Sequence, residues 1–568
     1  MSTNPENVAS TPLMTTKENQ ENVIVSPHGK TLIREDTILA NIPGCALCGT
    51  VNFTCSAVKN QWSVLCWGRP SDKKYYFLLV LLASTLVLSL MGTIFFSLNN
   101  TINDAVLSNM VIRNNTLSYS LWRQPSVQPL MKVYLFNYTN WKDVKEGREK
   151  KLHVEEVGPY VYSQQIERVN VKFNDDKLSY QEKNYFRYLP EQSVGANFDK
   201  VFVPNLPLLG LVAKTKSMEL NTFQQLTLES LLVSFAKNHE AFIELPVHRF
   251  LWGYDDTIID TVKIFMRWRG EMKFNKFGLL ATKNDTLSER LTINTGEWSK
   301  DKMNVLEGVE GEDHLPYWDS PYCNSIEATD GTIFPPVMLD KKSTLHVFYP
   351  NLCRRLPYIF DKDVEVGDIP LLRYKMPTNV FDDPSGNPDN QCYCQLDTGI
   401  CPPKGVIDVS ACTMGAPALV SFPHFHLGDP LLRENVSGLR PDPALHESHF
   451  DIHQTLGLTL YGKSSLQINV EVKNTPPFTS VGFLQKGTIL PVAWLEMSVT
   501  ELPESIRTLI YHGTYSTAAI QLVIRVICIL SLIISALCLF TLIFGRRPKP
   551  CVSIHHKPEL EKTQVSCS

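Results

Sequence analysis

Cysteines and histidines are the residues of this chain whose chemistry is most versatile, and most of them occur in local groups. Six cysteines fall within about ninety residues in the second half of the chain. An even number so close together indicates a disulfide framework in an oxidising compartment, with fifteen possible pairings. The Cys392-x-Cys394 spacing does not fit a zinc knuckle. The six are Cys323, Cys353, Cys392, Cys394, Cys401 and Cys412.

The histidines form two short groups that could supply metal ligands. His446, His449 and His453 occur in HESHFDIH, but Phe450 stands where the HExxH motif needs a glutamate. The second group is His424 and His426, in SFPHFHLGDP. Histidines that enter a strand are more often packed or on the surface, so we predict no metal site.

Residues 457–464, GLTLYGKS, match the phosphate-binding pattern GxxxxGK[ST]. That motif requires a helix directly after it, so that N–H groups meet the phosphates. Here an alternating strand pattern begins at Ser465 instead. The chain also contains no GxSxG elbow and no convincing triad or carboxylate pair. We therefore predict a protein that is not an enzyme and has no cofactor.

Two apolar segments determine where all these residues lie. Tyr75 to Leu98 contains no charged side chain, and Val526 to Phe544 is of the same kind. Each is long enough to cross a bilayer as a helix. Lys and Arg flank the outer ends of both segments, which predicts two cytoplasmic termini. The predicted regions are a largely disordered tail at 1–74, spans at 75–98 and 521–545, an exterior domain at 99–520 and a tail at 546–568.

This topology predicts which residues can be modified. Five sequons lie between the spans, and Asn99 directly follows the first span, too close to the membrane for us to include it. The four predicted glycosylation sites are Asn114, Asn137, Asn284 and Asn435. The tail cysteines near the membrane are candidates for S-acylation, while a four-cysteine zinc site in the first tail is a less regular alternative. These cysteines are Cys45, Cys48, Cys55, Cys66 and Cys551. A net charge of −4 and a pI near 6.4 give no support for a nucleic-acid partner.

Strand patterns dominate the exterior region. Leu466, Ile468, Val470 and Val472 alternate with polar residues, which predicts a strand with one buried face. The clearest helical pattern runs from 221 to 235, where Phe223 and Leu226 fall outside the main apolar face. Pro246 is predicted to open a second short helix that runs through Trp252. We expect a mixed α+β domain built on a large antiparallel sheet or barrel.

Several stretches together resemble the class B scavenger receptor family, which includes fatty-acid translocase, the lysosomal integral membrane protein and the insect sensory neuron membrane proteins. The resemblance runs from about residue 75 to 547. The matching stretches are VYLFNYTN, EEVGPYVY, LWGYDD, FYPNLCRR, GAPALVSFPHF and LPVAWLE.

The resemblance implies a barrel-like domain with a membrane-distal helical bundle and an internal lipid tunnel. It also implies disulfides that pair Cys323 with Cys392, Cys353 with Cys412 and Cys394 with Cys401. The ligand-binding apex would contain Phe223, Leu226, Lys237 and His239. Because the family's basic apex cluster is absent there, neutral cargo such as sterols or carotenoids becomes more plausible than anionic ligands.

The function implied is a receptor at the plasma membrane, or in endosomal or lysosomal membranes, that transfers lipid from lipoprotein particles or carrier proteins to the bilayer. Fatty acid, sterol and carotenoid remain open as cargo, and a homo-oligomer is possible. The alternative is a receptor without lipid transport, in apoptotic-cell recognition, pheromone sensing or lysosomal sorting.

Overall fold

The computed structural model describes residues 72–98, 101–217, 230, 233, 237, 239–260, 276–394, 400–413, 415–473 and 480–545. The chain divides into a large unit, residues 87–532, and a small unit that combines 1–86 with 533–568. All five candidate acylation cysteines lie outside the described residues, as do both predicted tails apart from residues 72–74.

The α-helices of the described chain range from about one turn to almost eight turns. They are α1 Asp72–Leu98, α2 Thr101–Met110, α3 Leu117–Arg123, α4 Trp141–Lys145, α5 Leu206–Ser217, α6 Val247–Trp252, α7 Pro443–His446, α8 Glu504–Tyr511 and α9 Thr517–Phe544.

The strands are mostly short, and β2 is the longest of those described. They are β1 Leu130–Tyr138, β2 Leu152–Asn174, β3 Lys177–Tyr188, β4 Lys200–Pro204, β5 Phe242–Pro246, β6 Leu291–Asn294, β7 Leu306–Val309, β8 Leu345–Tyr349, β9 Arg354–Val366, β10 Ile369–Lys375, β11 Val406–Asp408, β12 Ala418–Ser421, β13 Val436–Ser437, β14 His449–Ile452, β15 Thr459–Glu471 and β16 Ile489–Val499.

Fourteen of these strands form one large sheet, as the sequence patterns predict. The main path runs β7-β6-β3-β2-β1-β16-β15-β14-β10-β9-β8, and all of its pairings are antiparallel. Thr329 makes isolated bridges to Val305, beside β7, and to Val347 in β8. Within the described residues these single bridges do not make a ladder that would close a barrel.

Strands β1 and β16 lie in the middle of this path, because the first and the last strand in chain order pair with each other. The first strand after α1 pairs with the last strand before α8, with Val133 opposite Leu495. Central strands keep every backbone N–H and C=O in ladder hydrogen bonds, which makes them rigid supports for side chains. The largest apolar cluster is built on these two strands, with helices α5 and α6 packed against it.

In the part of the chain that the structure describes, two helices are long and apolar enough to cross a membrane, Lys73–Leu98 and Glu504–Phe544. The first agrees closely with the predicted span. The second continues outward well beyond the predicted start at 521, because α8 and α9 are joined by a π-helical segment, His512–Ser516. In the small unit, the two helices contact each other through Thr85 Oγ1 and Ser535 Oγ, which are 3.2 Å apart.

Arg525 lies in the outer part of α9 and has a defined partner. Its Nε and Nη2 atoms donate to the carbonyl oxygen of Phe96, at 3.2 and 2.7 Å. Phe96 is in the last turn of α1, where carbonyls have no partner within the helix. Arg525 therefore caps the end of α1, the first of the two candidate spans.

Candidate functional site

Along part of β15, the alternation of buried and accessible side chains is opposite to the expected one. Gln467 and Asn469 are fully buried, whereas Leu466 and Ile468 are only half-buried. The sequence correctly predicts the strand and the burial of Val470 and Val472, but the expectation that the intervening polar residues face solvent is wrong. A pattern of period two identifies two faces and does not tell which one is covered.

The half-buried side of β15 continues across its neighbours. Leu466 pairs with Leu495 of β16, and Leu495 pairs with Val133 of β1. Directly paired residues project to the same face, so these strands share one apolar surface. We call it the apolar face. Its members are Val133, Leu135, Leu466, Ile468, Leu495 and Met497.

The apolar face remains partly accessible although it lies in the middle of the sheet. Val133 and Leu135 are fully buried, while Leu495 and Met497 are half-buried. The face also joins two hydrophobic clusters, since Leu466 packs in one and Leu495 in the other. Keeping apolar area accessible costs about 25 cal/mol per Å². Such a surface is typical of a site that an apolar ligand covers.

The opposite face of the same strands is polar and is covered by residues 421–448. Gln467 Oε1 accepts from the backbone N–H of His424 at 2.7 Å, and Gln467 Nε2 donates to Asn469 Oδ1 at 2.7 Å. Asn469 in turn donates to Ser421 Oγ at 3.0 Å. These bonds satisfy the amides, so that burying them is tolerated.

Glu156 is the charged centre of this covered side. Its carboxylate accepts from Trp494 Nε1 at 2.7 Å and lies 2.5 Å from His424 Nε2. His424 Nδ1 accepts from the backbone N–H of Arg440, so Nε2 carries the proton and donates to Glu156. Burial acts to raise the pKa of Glu156, but the hydrogen bonds from His424 and Trp494 outweigh it and hold the pKa below its ordinary value.

His446 and Tyr134 complete this cluster. The His446 ring stacks on His424 with 4.8 Å between centroids, and Tyr134 stacks on Trp494 at 3.8 Å. Burial, with His424 nearby, lowers the pKa of His446 to about 4, so the ring is neutral at physiological pH. His424 and His446 are therefore packed side chains, and they stabilise the cover over the polar face.

The described residues contain no group of three or more His, Cys, Asp or Glu arranged to hold a metal. His449 and His453 bracket β14: His449 is half-buried and His453 is buried. Lys463, from the GxxxxGK[ST] match, lies within β15 and donates to the carbonyls of Ala444 and Leu445. It caps helix α7, and no helix follows the motif, so the geometry of a phosphate-binding loop is absent.

Three disulfides join the six cysteines that lie between residues 323 and 412. They are Cys323–Cys392, Cys353–Cys412 and Cys394–Cys401, which are the pairs that the resemblance implies.

The predicted apex is only partly described. Phe223 and Leu226 lie outside the described residues, as does most of the predicted helix 221–235. Lys237 is exposed, and His239 Nε2 lies 2.9 Å from Thr257 Oγ1. The predicted second helix is present as α6, directly after Pro246. The described residues therefore do not unite Lys237 and His239 with the apolar face.

The sequons differ in accessibility. Asn114, Asn284 and Asn435 are exposed. Asn137 is half-buried in β1, where its Oδ1 accepts from the backbone N–H of Phe202 at 2.9 Å. Modification of the three exposed residues remains a prediction, and Asn137 is the least accessible of the four.

Sequence reasoning missed both the accessible apolar face and the Glu156 cluster. The signal available was β16, whose sequence ILPVAWLEMSV is apolar on both faces in its first half and places Glu496 and Ser498 at buried positions. A strand of this kind must be covered on both sides.

Comparison with known proteins agrees with the family resemblance seen in the sequence. The family model described as the CD36 family matches residues 80–543. Scavenger receptor class B member 1 of Bos taurus is 31% identical over 409 residues, covering 72% of this chain and 77% of that protein. The Rattus norvegicus protein of that name is 32% identical over 400 residues, covering 70% and 75%. Lysosome membrane protein 2 of Rattus norvegicus is 32% identical over 425 residues, covering 74% and 84%. The chain is thus a member of the CD36 family, to which the class B scavenger receptors belong.

Proposed function

We propose that this protein is a membrane-anchored receptor that binds lipid or lipoprotein ligands and passes lipid along its apolar face to the bilayer. The partly accessible apolar face on central strands carries the proposal. Sterol, carotenoid or acyl chains would cover it and regain about 0.8 kcal/mol for each methylene removed from water. Downhill transfer of this kind needs no nucleotide. This agrees with the finding that the GxxxxGK[ST] match around Lys463 is part of strand β15 and not a phosphate-binding loop.

The test is to block the apolar face after the protein has folded. Leu495→Cys, displayed on cells, is treated with a bulky membrane-impermeant reagent that forms a mixed disulfide with the thiol, and uptake of a fluorescent cholesteryl ester from lipoprotein is measured. We expect uptake to fall several-fold on modification and to recover on reduction of the adduct.

Leu445→Cys is the matched control, because Leu445 is 57% exposed and does not belong to the apolar face. Modification there should leave uptake unchanged. Unchanged uptake in fully modified Leu495→Cys would refute transfer along this face.

The localisation proposed with this function is the plasma membrane, with both termini in the cytoplasm. Lysosome membrane protein 2 is as similar to this chain as the scavenger receptors are, and this favours a sorting or recognition receptor without transport as the second candidate. Epitope tags at each terminus, together with imaging of the tagged protein at the surface and in lysosomes, separate the two locations. Binding of particles without any uptake of their lipid would favour the second function.

A further inference from the structure

Three hydroxyl groups meet at one end of the apolar face. They belong to Tyr349 in β8, Tyr358 in β9 and Ser464 in β15. The Tyr349 hydroxyl oxygen lies 2.7 Å from that of Tyr358 and 3.4 Å from Ser464 Oγ. We call these three residues the three-hydroxyl cluster. Although Ser464 is the last residue of the GxxxxGK[ST] match, its hydroxyl meets a phenol and not a phosphate-binding loop.

The strand register places this cluster on the apolar face. Ser464 pairs with Met497, which is a member of that face, and it precedes Leu466 by two residues. Residues two apart on a strand project to the same side, so the Ser464 side chain continues the row to which Leu466 belongs. Leu466 and Tyr349 also pack against the same hydrophobic cluster, which contains Tyr358. The apolar face therefore ends in hydroxyl groups beside Met497.

The cluster has more hydrogen-bonding capacity than it uses. Each hydroxyl can donate one hydrogen and accept two. The two contacts use two of the three hydrogens, and these hydroxyls have no other partner among the residues that the structure describes. The contact of 3.4 Å with Ser464 Oγ is also long for a hydrogen bond between hydroxyls. One O–H donor and several lone pairs are thus available to a ligand, and a buried donor without an acceptor is unfavourable.

The available hydroxyls are accessible beside the apolar face. Tyr349 and Ser464 are half-buried, as Leu466 is, whereas Tyr358 is fully buried. The Phe450 ring lies behind them, 4.7 Å from the Tyr358 ring between centroids. It also covers the strand position two residues before Ser464, which is a glycine. A ligand on the apolar face can therefore reach the hydroxyls of Tyr349 and Ser464 with one end, where aromatic rings stop it.

The cluster carries no charge. Burial raises the pKa of Tyr349 and raises the pKa of Tyr358 well above its ordinary value, so both phenols keep their hydrogens at physiological pH. Arg354 is paired with Tyr349 in the ladder of β8 and β9, but its guanidinium lies over the Tyr393 ring, 3.6 Å from the centroid. A carboxylate bound at the cluster would therefore lose its hydration without gaining a hydrogen-bonded cation.

We propose that the three-hydroxyl cluster binds the hydroxyl group of a neutral lipid whose apolar part lies along the apolar face. Such a hydroxyl accepts the spare O–H hydrogen of the cluster and donates its own hydrogen to one of the lone pairs. A hydrocarbon does neither, and a carboxylate brings a charge without a counter-ion. This selection of an end group rests on the proposed function, because the same face must bind the lipid.

The test uses three ligands that differ only at one end. Full-length protein in detergent micelles is equilibrated with equal amounts of hexadecanol, hexadecane and palmitate near neutral pH and is then purified again. The retained lipids are extracted and measured by gas chromatography with mass spectrometry. Their ratios are divided by the ratios in empty micelles, so that partition into the detergent cancels.

Two double variants are compared with the unmodified protein. Tyr349→Phe/Ser464→Ala removes two hydroxyls of the cluster and changes little else in shape. Tyr254→Phe/Ser465→Ala is the matched control, because it removes two buried hydroxyls that have no hydrogen-bond partner and lie outside the cluster. Ser465 directly follows Ser464 and therefore projects to the opposite face of β15. Thermal unfolding checks that each variant is folded.

We expect the unmodified protein and the control to retain hexadecanol in preference to hexadecane and palmitate. In the cluster variant the preference over hexadecane should fall roughly 3- to 10-fold, because a hydrogen bond is lost, while retention of hexadecane stays the same. The same preference in all three proteins, or palmitate retained as well as hexadecanol, would overturn the hydroxyl site alone. If the unmodified protein retained none of the three lipids, binding along the apolar face would be refuted, and the hydroxyl site with it.

Discussion

Glu156 shows at the scale of a single residue how the covered side of the sheet is held. Its carboxylate is shared between His424 and Trp494, which come from the cover and from the central strand β16. One charge therefore ties the cover to the sheet. Because 32% of its side chain is exposed, we expect a modest stabilisation of about 1 kcal/mol, at the lower end for hydrogen bonds to charged groups.

The first prediction is that Glu156→Gln destabilises the protein by about 1 kcal/mol near neutral pH. The folded pKa of Glu156 is lowered, so its contribution is present above the unfolded pKa and is lost as the pH falls through the folded pKa. The deficit should accordingly vanish in acid. Urea unfolding at several pH values measures it.

Glu155→Gln is the control for this prediction, since the adjacent Glu155 is exposed and pairs opposite Asn137. It should match the unmodified protein at every pH. A Glu156→Gln deficit that persisted unchanged in acid would show that shape, and not charge, accounts for the effect.

At the scale of elements, the membrane helices were the most predictable part of the chain. A long apolar run without charges is most stable as a helix in the hydrocarbon core of a bilayer, so Tyr75 to Leu98 could be assigned as a spanning helix by length and composition. The packing between the helices could not be assigned in this way. It depends on Ser89 Oγ lying 2.8 Å from Ser531 Oγ, and on the Arg525 cap at Phe96. Neither contact produces a periodic pattern in the sequence from which it could be predicted.

The second prediction uses a close approach within this helix pair. A Cβ added at Gly92 would lie 3.8 Å from Cys528 Cβ, which is the usual Cβ separation in a disulfide. Gly92→Cys should therefore form an intramolecular disulfide with the native Cys528 when the protein is oxidised in membranes. Mass spectrometry of the linked peptides detects it.

Met91→Cys provides the comparison, because Met91 is the next residue along α1 and its side chain is 64% exposed. It should give little intramolecular product. If Gly92→Cys linked only between molecules, the helix pair described here would be wrong for the protein in a bilayer.

The strands were predictable as elements but not in their burial. The alternation at 466–473 correctly gives a strand, yet Gln467 and Asn469 turn out to be buried beneath the cover. The cover, residues 421–448, is the long connection between β12 and β14. Its contact with β15 depends on tertiary structure, which a local sequence pattern does not contain.

At the scale of the whole molecule, the disulfides link segments that are distant in sequence. Cys323–Cys392 and Cys353–Cys412 interleave, so each closes a loop that contains one end of the other. Cys323 and Cys353 are buried in one hydrophobic cluster with Trp318 and Tyr393. Cys353 lies between β8 and β9 at one end of the main path, so the Cys353–Cys412 crosslink joins this end of the sheet to the segment that leads into the cover.

The third prediction ranks these crosslinks by the loops they close. Sequence separations of 59 for Cys353–Cys412 and 7 for Cys394–Cys401 correspond to about 4 and about 2 kcal/mol of unfolded-state entropy. Replacing both cysteines of a pair by serine should thus lower the unfolding temperature more for the long loop, and more of that variant should be retained inside the cell. Calorimetry of the solubilised protein and surface biotinylation measure the two effects.

The short-loop variant serves as the internal reference, since it also loses one disulfide by replacement of two cysteines with serine. If the short-loop variant were the more destabilised of the two, chain entropy could not be the main contribution of these bonds, and their stabilisation would have to come from packing around the sulfur atoms.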